Sequence, residues 1–166
     1  MAKPEVWLRG PLEGVPALLQ PAAHSLLQSR EELEAFVGPL TPEQIWRAPG
    51  GSASIGYHVR HAAGSLDRLF TYARGAMLSD DQLTVLRQEA VPDPDLTAAD
   101  LLAAFDATVE RALDQLRTTD EGTLTQARFV GRARLPSTVI GLLFHGAEHT
   151  QRHAGQVATL VKIVGA

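Results

Sequence analysis

The chain has 166 residues, a length typical of one domain, and we expect residues 1–166 to form a single helical domain. Fifteen Lys and Arg residues against 19 Asp and Glu residues give a formal net charge of −4, which argues against a protein built mainly to bind nucleic acid. Cysteine is absent, which excludes disulfides, catalytic thiolates and cysteine-ligated metal sites, whereas the six histidines are unusual.

The first residues, Met1 to Pro21, lack the uninterrupted apolar stretch of a secretion signal, because several prolines interrupt them. No segment approaches the roughly 20 apolar residues that are needed to cross a bilayer. We therefore expect a cytoplasmic protein with neither a membrane nor a nucleic-acid partner.

The first half of the chain predicts two long helices. Apolar residues recur every three or four positions from Leu18 to Val37, and Gly38-Pro39 ends this pattern. A short helical turn follows from Thr41 to Trp46. The second long helix should begin after Ser52 or Ser54 and run to about Arg74, where Gly75 stops it.

The second half predicts a short helix between Met77 and Ala90 and two further long helices. Thr97 and Asp100 resemble a capping box, which opens the third long helix through Leu116. The stretch 118–135 is polar and irregular, with an extended piece over 127–135. The last helix should begin at Pro136 or Ser137 and run to about Val164. Together the patterns predict an all-α, up-down-type four-helix bundle with long connections and short extra helices.

The last helix carries three of the six histidines. On a helical wheel His149 and His153 lie in the middle of the apolar stripe, whereas His145 lies about 90° from its centre. Two histidines four residues apart can meet at one metal ion, although an inward histidine is more often a hydrogen-bonded core residue. A third ligand from another helix would favour metal binding over a hydrogen-bonded core role for these histidines.

The second helix offers two candidates for that third ligand, His58 and His61. Its apolar stripe contains Ile55, Ala62, Leu66, Leu69 and Ala73. His58 lies nearer to this stripe than His61 does, so periodicity alone favours His58. The inner face of a helix packed against two neighbours is wide, however, and both histidines stay open at this point.

Two segments resemble motifs of the DinB/YfiT-like superfamily. In the segment 54–61, Ser54 at the helix start is followed seven residues later by His61, and the segment 148–156 contains HxxxH followed closely by Gly155. The resemblance covers most of the chain and implies a helical bundle with a three-histidine metal site. Carried over by position, its metal ligands are His61, His149 and His153. His58 stands where the family usually has an apolar residue.

The resemblance also implies a divalent metal, most often zinc or nickel, and a thiol S-transferase or hydrolase activity on a small molecule. Because the chain has no cysteine, a low-molecular-weight thiol would have to come from a cosubstrate. Glu148, next to His149, is a candidate general base or a hydrogen-bond partner for the far nitrogen of a histidine, with a solvated surface carboxylate as the alternative. A homodimer is expected by resemblance only.

The remaining histidines and a group of arginines are given other roles. We expect His145 to be partly buried or to support the ligands, and His24 to lie at the surface. Arg128, Arg132 and Arg134 form a basic cluster that can attract an anionic substrate or simply be solvated. The competing functional class is a non-catalytic helical dimer or stress-related binding protein with a structural or vestigial metal site.

Overall fold

A computed structural model describes residues 3–165, most of which are helical. The helices are α1 (Gln20–Val37), α2 (Pro42–Trp46), α3 (Ile55–Ala73), α4 (Asp80–Gln88), α5 (Ala98–Thr118) and α6 (Val139–Val164). Two strands, β1 (Ala127–Val130) and β2 (Leu135–Thr138), precede α6. Short 3-10 turns lie at Val6–Arg9, Ala17–Leu19, Pro49–Gly51 and Glu121–Thr123. The prediction of an all-α four-helix bundle with short extra helices is confirmed.

The four long helices α1, α3, α5 and α6 form the bundle. α3 packs against α5 and α6, and α1 packs against the same two helices, so that α1 and α3 lie diagonally across the bundle. Large side chains from all four helices are fully buried between them; they include Leu26, Leu33, Leu66, Phe105, Leu113 and Leu143. This apolar core fixes α3 and α6 side by side, and their contact is the most extensive in the bundle.

Hydroxyl side chains cap the starts of three of the four long helices, α3, α5 and α6. Ser54 Oγ accepts a hydrogen bond from the backbone N–H of Tyr57 at the start of α3, which sets the phase of the helix that carries His58 and His61. The predicted capping box at α5 is present, with Thr97 and Asp100 bonded reciprocally. Each cap satisfies an N–H group that has no partner within its helix.

A close approach between Gly56 and Trp46 docks α2 on α3. A Cβ atom added at Gly56 would lie 2.6 Å from the Trp46 ring, so the absence of a side chain makes room for the indole. The guanidinium of Arg60 lies 5.8 Å from the centre of the same ring. The loop before α3 is thereby held against the helix that carries the second-helix histidines.

The extended piece predicted over 127–135 is one strand of an antiparallel hairpin. β1 pairs with β2 in the register Ala127↔Thr138 and Val130↔Leu135. The last helix begins at Val139 rather than at Pro136 or Ser137, because those two residues belong to β2. Thr138 instead caps α6 by accepting from the N–H of Gly141.

Among residues 3–165, no helix combines the length and the apolar character that a membrane crossing requires.

Candidate metal centre

Three histidines from two helices converge between α3 and α6. Nε2 of His149 lies 3.1 Å from Nε2 of His61 and 3.2 Å from Nε2 of His153. One nitrogen from each of the three rings can be chosen so that all lie within 4.8 Å of one another. The pair on α6 meets because residues four apart lie one above the other on a helix. The residues that the resemblance selected are therefore together in space.

The nitrogen spacing fits a tetrahedral metal site. Four ligands at a zinc–nitrogen distance of about 2.0–2.1 Å lie roughly 3.3 Å apart. The two measured contacts, 3.1 and 3.2 Å, are close to this value. Nitrogen donors without carboxylates are also the set that zinc, nickel and copper prefer over magnesium or calcium.

The hydrogen-bond partners of the three rings bear on whether their Nε2 atoms can face a cation. Nδ1 of His61 lies 2.7 Å from Oε2 of Glu89, an ionised carboxylate that can only accept, so the neutral tautomer of His61 that fits this contact has its proton on Nδ1 and its lone pair at Nε2. Nδ1 of His149 is buried and, among residues 3–165, has no hydrogen-bond partner. A divalent ion would accept a lone pair from each of the three Nε2 atoms when each ring carries its proton on Nδ1.

Glu89, at the end of α4, supports His61 from behind. Its carboxylate is 2 % exposed and accepts hydrogen bonds from His61 and from Arg68 on α3. Gly64 leaves the space for this pair, because a Cβ atom there would lie 2.1 Å from Oε1 of Glu89. Sequence reasoning missed Glu89 and Arg68. The one available clue was a glycine three residues after His61.

Burial sets the protonation of the cluster. Removal from water, together with the charge of His149, lowers the pKa of His153 to about 3. Burial first and the charge of His61 second lower the pKa values of His58 and His149. Burial raises the pKa of Glu89, but hydrogen bonds from His61 and Arg68 outweigh it and leave the pKa below its ordinary value. The lowered pKa values keep His149 and His153 neutral at neutral pH, which is the form in which an imidazole binds a metal.

His58 contacts one of the three convergent histidines but does not belong to the convergent group. Its Nδ1 is 2.8 Å from Nδ1 of His153, on the side of that ring opposite to Nε2. The Tyr57 ring is stacked on His61, with centroids 5.3 Å apart and planes 11° apart, and it meets His58 edge-on. Both α3 histidines that the sequence left open therefore contact the α6 pair. Nε2 of His61 meets Nε2 of His149, whereas His58 contacts Nδ1 of His153.

The Glu148 side chain faces neighbours on its own helix. Its carboxylate accepts from Arg152 and lies 3.3 Å from Nδ1 of His145. The hydrogen bond from Arg152 lowers its pKa. The side chain is 36 % exposed. Its role as a general base stays a prediction.

Two further histidines and Gln151 lie away from the convergent nitrogens. His145 is exposed rather than partly buried, although its ring centre is 5.4 Å from that of His149. His24 is half-buried and its Nε2 lies 3.0 Å from the carbonyl oxygen of Gly10. Gln151 faces α1, where it bonds to Ser29 and Glu32.

The basic cluster belongs to the hairpin. Arg128 donates to the carbonyl oxygen of Ala73 and so caps the end of α3. Arg134 lies over the Phe129 ring, and Arg132 is exposed. Ala73 follows His61 by 12 residues, or about 18 Å along the helix. The arginines are therefore separated from the histidines by most of the length of α3.

Comparisons with known proteins agree with the fold. A family model described as the DinB superfamily matches residues 25–157. A structure titled as a conserved protein from Enterococcus faecalis is similar at a TM-score of 0.70 and 18% identity, covering 88% of this chain and 96% of that one. A DinB-like protein from Bacillus cereus ATCC 10987 is similar at a TM-score of 0.67 and 14% identity, covering 87% and 91%. No curated protein matches the sequence.

Proposed function

This chain belongs to the DinB superfamily, and from that premise we propose that it is a metal-dependent enzyme acting on a small molecule. His61, His149 and His153 would hold one divalent ion. The observation that carries the proposal is the convergence of their three Nε2 atoms, with contacts of 3.1 and 3.2 Å. The all-nitrogen donor set favours zinc or nickel as the ion.

Three protein ligands are the usual number at a catalytic zinc site, because the fourth position is left for water or substrate. Three neutral imidazoles add no negative charge to the site. When bound, a divalent ion would supply Lewis acidity that lowers the pKa of a water or thiol towards neutrality. The reaction classes that fit are transfer of a thiol and hydrolysis.

The chain's own residues would prepare the site in three ways. Glu89 holds the proton of His61 on Nδ1, which keeps Nε2 free for the ion. Tyr57 covers one face of the His61 ring and limits its rotation. Glu148 is the candidate base for the nucleophile's proton, since it adjoins His149 and is partly exposed. Because there is no cysteine, a reacting thiol would be a small cosubstrate.

The proposal is tested with zinc- and nickel-loaded protein, a panel of low-molecular-weight thiols, and small electrophiles and esters. Turnover that depends on one thiol supports the transferase reading, and ester cleavage without a thiol supports hydrolysis. The matched control is His149→Ala, which should be inactive after the same metal-loading treatment. If the metal-loaded protein turns over no compound in either panel, the result contradicts the proposal that the chain is an enzyme. It then favours a structural metal site in a non-catalytic protein.

A further inference from the structure

His58 makes a buried contact with one of the three convergent histidines. It lies on α3 one turn before His61 and is 8 % exposed. Its Nδ1 is 2.8 Å from Nδ1 of His153, and the ring centres are 5.1 Å apart. Two neutral imidazoles can make this contact only when one nitrogen donates an N–H group and the other accepts.

The direction of this hydrogen bond follows from the other nitrogen of His153. Nε2 of His153 faces His149 at 3.2 Å, on the side where the three rings converge. A neutral imidazole that offers a lone pair at Nε2 carries its proton on Nδ1. In the proposed metal centre Nε2 of His153 offers its lone pair to the ion, so His153 donates from Nδ1 and Nδ1 of His58 accepts. His58 then carries its own proton on Nε2. The His58 side chain lines a surface cleft of about 510 Å³, where water can accept a hydrogen bond from this nitrogen.

The same contact separates His58 from the ligands themselves. Nδ1 of His58 contacts Nδ1 of His153. The other nitrogen of His153, Nε2, is the one that faces His149. Within residues 3–165, the group whose ligand atoms converge consists of His61, His149 and His153 and does not include His58.

We propose that His58 is a positioning residue, which accepts the Nδ1–H bond of His153 and so fixes the tautomer and the ring orientation in which His153 binds the metal. The inference rests on the proposed metal centre. It gives His153 the same kind of support that Glu89 gives His61, with one difference: the acceptor is a neutral imidazole instead of a carboxylate. Partners of this kind commonly change metal affinity by about 10–100-fold when they are removed.

Two substitutions separate the hydrogen bond from the packing. In His58→Asn the amide oxygen can occupy the position of Nδ1 and accept from His153, whereas His58→Leu fills similar space without an acceptor. His145→Asn is the matched control, since His145 is the exposed histidine next to the cluster. Zinc affinity is measured by competition with a chelator, and the site geometry by the visible absorption spectrum of the Co²⁺-loaded protein. Circular dichroism and the melting temperature of the metal-free variants report folding.

We expect His58→Leu to bind zinc about 10–100-fold more weakly than the wild type and to alter the Co²⁺ spectrum. His58→Asn should recover most of the affinity and the spectrum, and His145→Asn should match the wild type. Wild-type affinity and spectrum in His58→Leu would overturn the inference, and so would an equal loss in the Leu and Asn variants, because the acceptor would then be irrelevant. A wild-type protein that binds neither metal would instead contradict the metal centre itself.

Discussion

The Nδ1 atom of His61 lies 2.7 Å from Oε2 of Glu89, a carboxylate that is 2 % exposed. The two residues are 28 positions apart in the chain and come together because α4 ends against α3. A carboxylate behind a histidine fixes the tautomer that presents Nε2 to a metal and makes that nitrogen more basic. Glu89 thus joins the polar helix α4 to the proposed metal centre.

Replacing Glu89 by Gln should weaken zinc binding by about 10–100-fold, since a neutral amide is a poorer acceptor for the Nδ1–H of His61. Affinity is measured by chelator competition on variants whose helicity matches the wild type. Glu31→Gln is the control, because the Glu31 carboxylate is paired with Lys3 and Arg9 and not with a histidine. Equal zinc affinity in Glu89→Gln and the wild type would contradict the supporting role of Glu89.

Replacing Glu89 by Ala should destabilise the protein by about 3–5 kcal/mol, because it leaves Arg68 in a buried position without its counter-charge. The loss is read from urea unfolding of the metal-free protein. In the double variant with Arg68→Ala, part of this loss should return, since no unpaired charge is then buried. Additive losses in the double variant would show that the two side chains do not interact.

Gly64→Ala should lower stability although alanine favours a helix by about 1 kcal/mol over glycine. The added Cβ would lie 2.1 Å from Oε1 of Glu89 and 2.7 Å from Nη1 of Arg68, so the pair has to move. Gly155→Ala on α6 is the control, because its Cβ meets nothing within 4 Å and it should stabilise the protein. A lower urea midpoint is expected for Gly64→Ala and a higher one for Gly155→Ala. A rise in both would contradict the close packing at Glu89.

The ion pairs of Glu31 with Arg9 and Lys3 should raise the free energy of unfolding at neutral pH but not at strongly acidic pH. Hydrogen bonds from Arg9 and Lys3 lower the pKa of Glu31 from its ordinary value of 4.5 to about 2 in the folded protein. A carboxyl group with a lowered folded pKa stabilises the fold above its unfolded pKa and loses that effect as the pH falls through the folded value.

Unfolding of the wild type and of Glu31→Gln is therefore compared between pH 7 and pH 2. The stability difference should be constant above about pH 5, shrink below about pH 4.5 and be small near pH 2. High salt should reduce it at neutral pH, since the pair is exposed. A difference that does not change with pH would show that Glu31 acts by packing and not by charge.

The helices could be predicted from the sequence because their causes are local. The apolar period, the hydroxyl caps at Ser54 and Thr97, and the Gly38-Pro39 stop are readable within a few residues of one another. The start of α6 was placed two or three residues early, since the pairing of Pro136 and Ser137 with β1 is a contact between strands that the helical pattern does not report.

The site was only partly predictable, because its decisive contacts are long-range. Periodicity placed His58 nearer the apolar stripe, and His58 is indeed the more buried of the two α3 histidines. Burial and convergence are different properties, however: the Nε2 atoms that meet belong to His61 and the α6 pair. Only the family resemblance selected His61, and the sequence clue at Gly64 shows that space is needed beside α3 without indicating that Glu89 fills it.

The central claim is that His61, His149 and His153 bind one metal ion, and the most direct measurement is metal stoichiometry. Tag-free protein is loaded with zinc, dialysed, and assayed by elemental mass spectrometry, together with His→Ala variants at positions 58, 61, 145, 149 and 153. Zinc at 100-fold above its Kd should also add about 2.7 kcal/mol of stability, which raises the Tm of a chain of this size by roughly 5–10 °C.

We predict one zinc ion per chain in the wild type and in His145→Ala, and none in the variants at 61, 149 and 153. His58→Ala should still bind zinc, but more weakly. A wild-type protein without zinc and without a rise in Tm would contradict the metal centre. Full zinc content in His61→Ala together with complete loss in His58→Ala would show that the ligand from α3 is His58.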